Sequence, residues 1–201
     1  MSDEKITSIN TNGYFTVEQY YILKGEKMDT AIENIRIRPL VPEDKEKVYA
    51  FFRNLGEEGT YFFNRNGGNE RGTYQYLDGT RPDHIFWAAV ADTSEGEEIA
   101  GIVFLFKIDT KVPYLGIGIT EQWKGRHLGR RLMTTAREWA QSVDAGGILL
   151  TTDTKNFRGQ KLYERMGYKQ IGTHPNGEIL YLLVLPNENT ASLVSAPTEN
   201  G

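Results

Sequence analysis

The chain has 201 residues, 39% hydrophobic and 25% charged, with a net charge of −4 and no cysteine. That length holds one domain with a real core, and the mild acidity leaves no basic footprint for nucleic acid while suiting a cationic partner such as an amine. Without cysteine there is no disulfide, no thiolate zinc site and no cysteine nucleophile, and His84, His127 and His174 show no ligand spacing, so no metal is expected.

Residues 1–34 are polar around an apolar island of Tyr14, Phe15, Val17, Tyr20, Tyr21, Ile22 and Leu23, and read as an N-terminal extension. A domain over residues 35–186 follows. Ile35, Ile37 and Leu40 suggest a first strand. Pro42-Glu43-Asp44 opens a helix whose apolar face is Val48, Phe51, Phe52 and Leu55, and Gly56 stops it. Residues 61–66 read as loop, with a second short helix over residues 70–77. Two apolar runs, residues 85–91 and 99–106, joined by Asp92-Thr93-Ser94-Glu95-Gly96, signal a hairpin. A central strand over residues 112–119 leads through a turn into a helix with an apolar stripe of Leu128, Leu132, Ala136, Ala140 and Val143. Gly146-Gly147 ends it. A strand over residues 148–152 and a helix over residues 156–166 come next, with Phe157, Leu162, Tyr163 and Met166 apolar and Gly167 as its stop. The last hairpin pairs residues 168–173 and 179–185 around Pro175-Asn176-Gly177. Residues 187–201, rich in Asn, Ser, Thr and Pro, read as a disordered tail.

The chain is organised around Lys124-Gly125-Arg126-His127-Leu128-Gly129-Arg130. A glycine-containing turn from strand to helix points several backbone N–H groups at one spot. The positive helix end adds to them, which makes a phosphate cradle. Lys124, Arg126 and Arg130 stand around it. It is not a P-loop, because no Gly-Lys-Ser/Thr closes it. It is not a dinucleotide fingerprint either, because His127 takes the middle glycine's place.

The pattern resembles motif A of the GNAT superfamily of N-acetyltransferases, Gln/Arg-x-x-Gly-x-Gly/Ala after a central strand. Gln122 and Gly125 match, and His127 stands for the small third residue. Gly129 matches a further glycine common in the family. A second signature, Asn-x-x-Ala-x-x-Leu-Tyr-x-x-x-Gly-Phe, is matched by Asn156, Leu162, Tyr163 and Gly167, with Gly159 for Ala and Tyr168 for Phe. The order of elements over roughly residues 35–185 is also that of the family.

The resemblance implies a mixed α+β fold, the GNAT acyl-CoA N-acyltransferase fold: a central, mostly antiparallel sheet flanked by helices. It implies acetyl-CoA as co-substrate. The pyrophosphate would lie on Lys124, Gly125, Arg126, His127, Leu128, Gly129 and Arg130, and the pantetheine arm along Ile117, Gly118 and Ile119 and against Asn156. Tyr163 would be the general acid for the departing thiolate. With no cysteine, direct attack in a ternary complex is the expected mechanism. The general base stays open among Glu57, Glu58, Glu70, Asp83, His84 and Asp153, or a water chain. The acceptor is expected to be a primary amine of a small molecule. The alternatives are a protein N-terminus or lysine, or a non-catalytic acyl-CoA sensor. No apolar run approaches the roughly 20 residues of a membrane helix, and Met1-Ser2-Asp3-Glu4-Lys5 is too polar for a signal peptide. A cytoplasmic protein without membrane contact is therefore expected, as a monomer or a homodimer.

Overall fold

A computed structural model describes residues 35–186; the expected extension and tail lie outside the described residues. Among the described residues, seven strands and five helices follow one another in the expected order, with one helix more. The strands are β1 (Ile35–Pro39), β2 (His84–Thr93), β3 (Gly96–Phe106), β4 (Tyr114–Ile119), β5 (Gly147–Thr152), β6 (Lys169–Thr173) and β7 (Ile179–Val184). The helices are α1 (Lys45–Arg53), α2 (Gly56–Phe63), α3 (Gly68–Leu77), α4 (Leu128–Ser142) and α5 (Phe157–Arg165). The sheet order is β1-β2-β3-β4-β5-β7-β6. Every neighbouring pair is antiparallel except β4 and β5. None of the described helices is long and apolar enough to cross a membrane.

The side-chain period of two along a strand splits β2 between two cores. Phe86, Ala88 and Val90 face a cluster with Val48, Phe51, Phe52, Leu55, Phe63 and Leu77 from α1, the turn after it, α2 and α3. Trp87, Ala89 and Ala91 face a second cluster with Leu128, Leu132, Met133, Ala136 and Ala140 of α4 and Tyr163 of α5. Because helices cover both faces, β2 and β3 read as near-continuous apolar runs. β4 repeats the split asymmetrically. Leu115, Ile117 and Ile119 face the α4 side, and its two glycines face the aromatic side.

Several boundaries move. Pro42–Asp44 forms a 3-10 turn, not the start of α1, and Asp44 is buried beneath Arg38, whose two terminal nitrogens both reach its carboxylate at 2.7 Å. Gly56 does follow the end of α1, but it also opens α2 from a left-handed φ of +71°. Residues 61–63 are therefore helical where a loop was expected. Val143 leaves the α4 stripe. It caps the helix, is exposed, and precedes Asp144 at φ +53°, where the chain turns away. Phe157, expected on the apolar face of α5, is 67% exposed.

Candidate active site

β4 and β5 pair as parallel strands at a single position, Tyr114 with Leu149. Bonds from Leu149 N–H to the Pro113 carbonyl (2.9 Å) and from Gly146 N–H to the Lys111 carbonyl (2.8 Å) hold the strand starts together. Beyond Tyr114 the strands diverge, and the β5-facing edge of residues 115–119 has no strand partner. Its other edge is fully laddered to β3 as far as Ile119–Gly101.

A cavity of about 350 Å³ opens at the wide end of this wedge. β4 contributes Ile117, Gly118 and Ile119. The turn into α4 contributes Lys124, Gly125, His127, Leu128, Gly129 and Arg130. α5 and its N-cap contribute Asn156, Leu162, Tyr163 and three basic residues, and α2 contributes Glu58, Gly59, Phe62 and Phe63. The structure thus brings together all the residues expected around the cofactor except Arg126. The Arg126 guanidinium lies over the Trp123 ring at 4.8 Å instead.

The turn has the backbone of an anion cradle. Gly125 has φ +81° and His127, the N-cap of α4, has φ +60°. A left-handed residue next to a right-handed one, as His127 is to the first helical residue Leu128, gathers N–H groups into a concavity. The first-turn amides of a helix have no intrahelical acceptor. Arg130 N–H turns to the His127 carbonyl at 3.1 Å, while those of Leu128 and Gly129 have no acceptor among the described residues. A Cβ on Gly129 would stand 2.8 Å from Leu162, so this glycine lets α4 approach α5. Gln122 does not face the cavity: its amide donates to Glu98 at 2.6 Å and fixes the 3-10 turn Glu121–Trp123.

The wall is basic. Lys124, Arg130, Arg158, Lys161 and Arg165 line it, against one carboxylate, Glu58, in a chain of net charge −4. Lys124 is spanned by two acids, Glu121 at 2.6 Å and Glu58 at 2.9 Å, and its ammonium holds the Glu121 carboxyl below the usual range. Arg158, Lys161 and Arg165 were not among the residues expected at the site. Their i, i+3, i+7 spacing on one helix face was the available signal.

Asn156 is the N-cap of α5. Its Oδ1 accepts from Gly159 N–H at 3.0 Å and its Nδ2 donates to Thr152 Oγ1 at 3.0 Å. A Cβ at Gly159 would stand 2.6 Å from the Asn156 amide, which accounts for glycine there. Tyr163 is 7% exposed. Burial pushes its phenol up to about 12, against a smaller downward pull from a hydrogen bond with Thr152. Of the six candidate bases only Glu58 lines the cavity. Glu70 binds Arg53 through both oxygens at 2.8 Å, and Asp153 binds Arg65 at 3.0 Å. Asp83 and His84 bind each other at 2.7 Å, with Arg81 on the other His84 nitrogen. Glu57 is outside the wall. No group of three metal-ligating side chains occurs among the described residues.

The basic wedge can hold a polyanionic ligand with an extended arm beside a buried phenol. Solved structures with the same fold include a domain from Methanocaldococcus jannaschii (22% identity, TM-score 0.62), covering 75% of this chain and 98% of that one. The PaiA N-acetyltransferase of Thermoplasma acidophilum in complex with coenzyme A is similar at 18% identity and TM-score 0.61, covering 75% and 99%. The GNAT domain of S. lividans PAT is similar at 16% identity and TM-score 0.64, covering 75% and 90%. The model of the acetyltransferase (GNAT) family matches residues 48–168. The chain therefore belongs to the acetyltransferase (GNAT) family.

Proposed function

We propose that this protein transfers the acetyl group of acetyl-CoA to a primary amine of a small molecule, with both substrates bound together. The observation that carries the reading is the wedge between β4 and β5, open along residues 115–119 and ending at a basic helix N-terminus. The T. acidophilum neighbour, described as a complex with coenzyme A, supports the choice of cofactor. Glu58, the one carboxylate of the wall, supports a cationic amine as acceptor.

The residues present fit the cofactor. The Leu128 and Gly129 amides with Arg130, Arg158, Lys161 and Arg165 would hold its phosphates. The unpaired edge of Ile117, Gly118 and Ile119 would pair with its arm, and Asn156 would close on it from α5. Acetyl-CoA, when bound, supplies an acyl group activated as a thioester. A β4 backbone N–H stabilises charge on the acyl oxygen, an effect typically worth a few kcal/mol. Glu58 attracts the cationic acceptor and takes a proton from its nitrogen, directly or through one water. With acetyl-CoA bound, the neutral amine nitrogen would bond to the acyl carbon as the carbon–sulfur bond breaks, Tyr163 would give its phenolic proton to the sulfur, and the second proton leaving the nitrogen would pass through water to restore the phenol. The chain has no cysteine, so an acetyl-cysteine is not formed on it.

Thiol release and product mass, measured over a panel of small amines and lysine peptides, test the proposal. Acetylation of a small amine is expected, with acetyl-CoA raising the melting temperature. No thermal shift at millimolar acetyl-CoA and no thiol release would remove the assignment. Acetylation of peptides alone would remove the small-molecule acceptor.

A further inference from the structure

We propose that Lys124 is a positioning residue that couples the two substrate sites: it neutralises Glu58 while the cradle is empty and turns to the cofactor's phosphates when they arrive, leaving the Glu58 charge to the acceptor amine. The inference rests on the reading of the cavity as an acetyl-CoA site with Glu58 facing the acceptor.

Lys124 Nζ lies 2.6 Å from Glu121 Oε2 and 2.9 Å from Glu58 Oε2. Its side chain is only 13% exposed, so the ammonium is largely withdrawn from water and depends on anionic partners. The two acids are not equivalent. Glu121 belongs to the turn that leads into Lys124. That turn is fixed by the Glu121 N–H on the Asn54 carbonyl at 3.0 Å and by the Glu98 carboxylate, which accepts from both Gln122 and Trp123. A Cβ at Gly56 would stand 2.8 Å from the Glu121 oxygen that holds Lys124, so this carboxylate is packed against the chain. It lies outside the cavity wall. Glu58 comes from α2, 66 positions away. It is 51% exposed and lines the cavity. Among the described residues Lys124 is the sole hydrogen-bonding partner of its carboxylate. Glu121 is thus the fixed partner and Glu58 the exchangeable one.

One cation between two carboxylates leaves this group with negative charge in excess. Lys124 directly precedes Gly125 and lines the same cavity as the cradle. A pyrophosphate on the Leu128 and Gly129 amides would bring further negative charge beside it. An ammonium has three N–H donors. Pivoting on Glu121, it can exchange the Glu58 carboxylate for a phosphate oxygen and keep two charge-assisted bonds. Glu58 then faces the cavity with its charge unopposed, the state that draws in a cation. With the cradle empty, an amine must compete with Lys124 for that carboxylate. Each ligand therefore strengthens the other by the same factor.

Calorimetry with coenzyme A, which carries the phosphates and no acyl group, tests this without turnover. It compares wild type, Glu58→Gln, Lys124→Gln and the double variant. Glu58→Gln alone is expected to tighten coenzyme A about 3- to 5-fold, the upper end for a partly exposed ion pair, because Lys124 is released to the phosphates. In the Lys124→Gln background the same substitution should change affinity by less than about 2-fold. If the pair only fastened α2, Glu58→Gln would loosen the wall, and weakened or unchanged binding overturns the proposal. Equal tightening in both backgrounds overturns it as well, since Glu58 would then repel phosphate through space with no exchange at Lys124. A second measurement follows Glu58 itself by NMR, with glutamate labelled at its carboxyl carbon and the signal identified by its loss in Glu58→Gln. Coenzyme A should shift that signal in wild type and leave it in place in Lys124→Gln. An unmoved wild-type signal overturns the exchange. Wild type that binds no coenzyme A would sink the acetyl-CoA reading and the coupling with it, whereas coenzyme A that binds without this coupling sinks the coupling alone.

Discussion

Gly118 lies directly beneath Phe63: a Cβ at Gly118 would stand 2.5 Å from the ring. The ring has little freedom to retreat, because Phe51, Phe52 and Phe104 surround it with centroids 6.1–6.2 Å away. This contact seats α2 on β4, and the two elements form adjoining walls of the cavity. Overpacking a filled core typically costs about 1–3 kcal/mol. Gly118→Ala is therefore expected to lower the melting temperature by several degrees and weaken acetyl-CoA binding, with Phe63→Leu in the same chain recovering part of both. Wild-type melting and affinity in Gly118→Ala would show that the ring does not constrain the wall.

Gly125 separates strain from charge. The nearest atom to a Cβ there is an Arg158 nitrogen at 3.6 Å, so space is open, and only the φ of +81° resists a side chain. Gly125→Ala should cost about 1–2 kcal/mol of stability, the usual penalty of the left-handed region, and bind acetyl-CoA with modest loss. Gly125→Glu carries the same strain and also puts a carboxylate among Arg130, Arg158 and Lys161, where it competes with phosphate. Its affinity should fall at least tenfold below that of Gly125→Ala. Equal affinities by calorimetry would place the pyrophosphate elsewhere.

The locally encoded parts of the site were legible in sequence. The turn into α4 rests on backbone conformations at Gly125 and His127, and the α5 cap rests on Asn156 and Gly159, within four residues of each other. α2 was not legible. Gly56-Glu57-Glu58-Gly59-Thr60 has no apolar period, and the helix is held from outside, by Glu58 on Lys124 and Phe63 on Gly118. The carboxylate proposed as base was not legible for the same reason. Asp153 finds Arg65 across 88 positions of chain and Glu70 finds Arg53 across 17, so only folding shows that Glu58 alone of the six reaches the cavity. The basic face of α5 was written in its spacing, but which way it points depends on where α4 lies.

His127 occupies a left-handed conformation, φ +60°, that favours glycine. His127→Gly removes a penalty of about 1–2 kcal/mol and gives back roughly 0.5–1 kcal/mol through the looser unfolded chain. The melting temperature should hold or rise slightly, and acetyl-CoA should bind at least as well. His127→Val, β-branched at the same φ, should melt lower. A large loss of affinity in the glycine variant would give the imidazole a ligand contact of its own.

Tyr163→Phe keeps the ring in its core and removes only the hydroxyl. If that hydroxyl acts when the carbon–sulfur bond breaks, its loss weighs on the transition state alone. Turnover is expected to fall about 100-fold, the lower end of general acid catalysis, because water partly replaces the donor. Acetyl-CoA affinity should change by less than about 1 kcal/mol. Single-turnover rates are the ones to compare, since product release can hide a slower chemical step. Unchanged rates would make Tyr163 a packing residue, and parallel losses of rate and affinity would make it a cofactor clamp. The pH dependence has a definite sign. Burial holds the folded phenol at about 12, against about 10 in an unfolded chain. The folded protein therefore keeps this proton where the unfolded chain loses it. The stability so gained is complete below about pH 10 and is lost as pH rises from there through about 12. The buried Tyr168 is shifted the same way, so wild-type stability should fall steeply above pH 10 and Tyr163→Phe should fall less steeply, by the share of one group. The Tyr163 phenol stays protonated throughout the neutral range. The wild-type rate should then show no alkaline limb from Tyr163 below about pH 11, and a limb near pH 10 would mean the phenol is far less buried in the working enzyme.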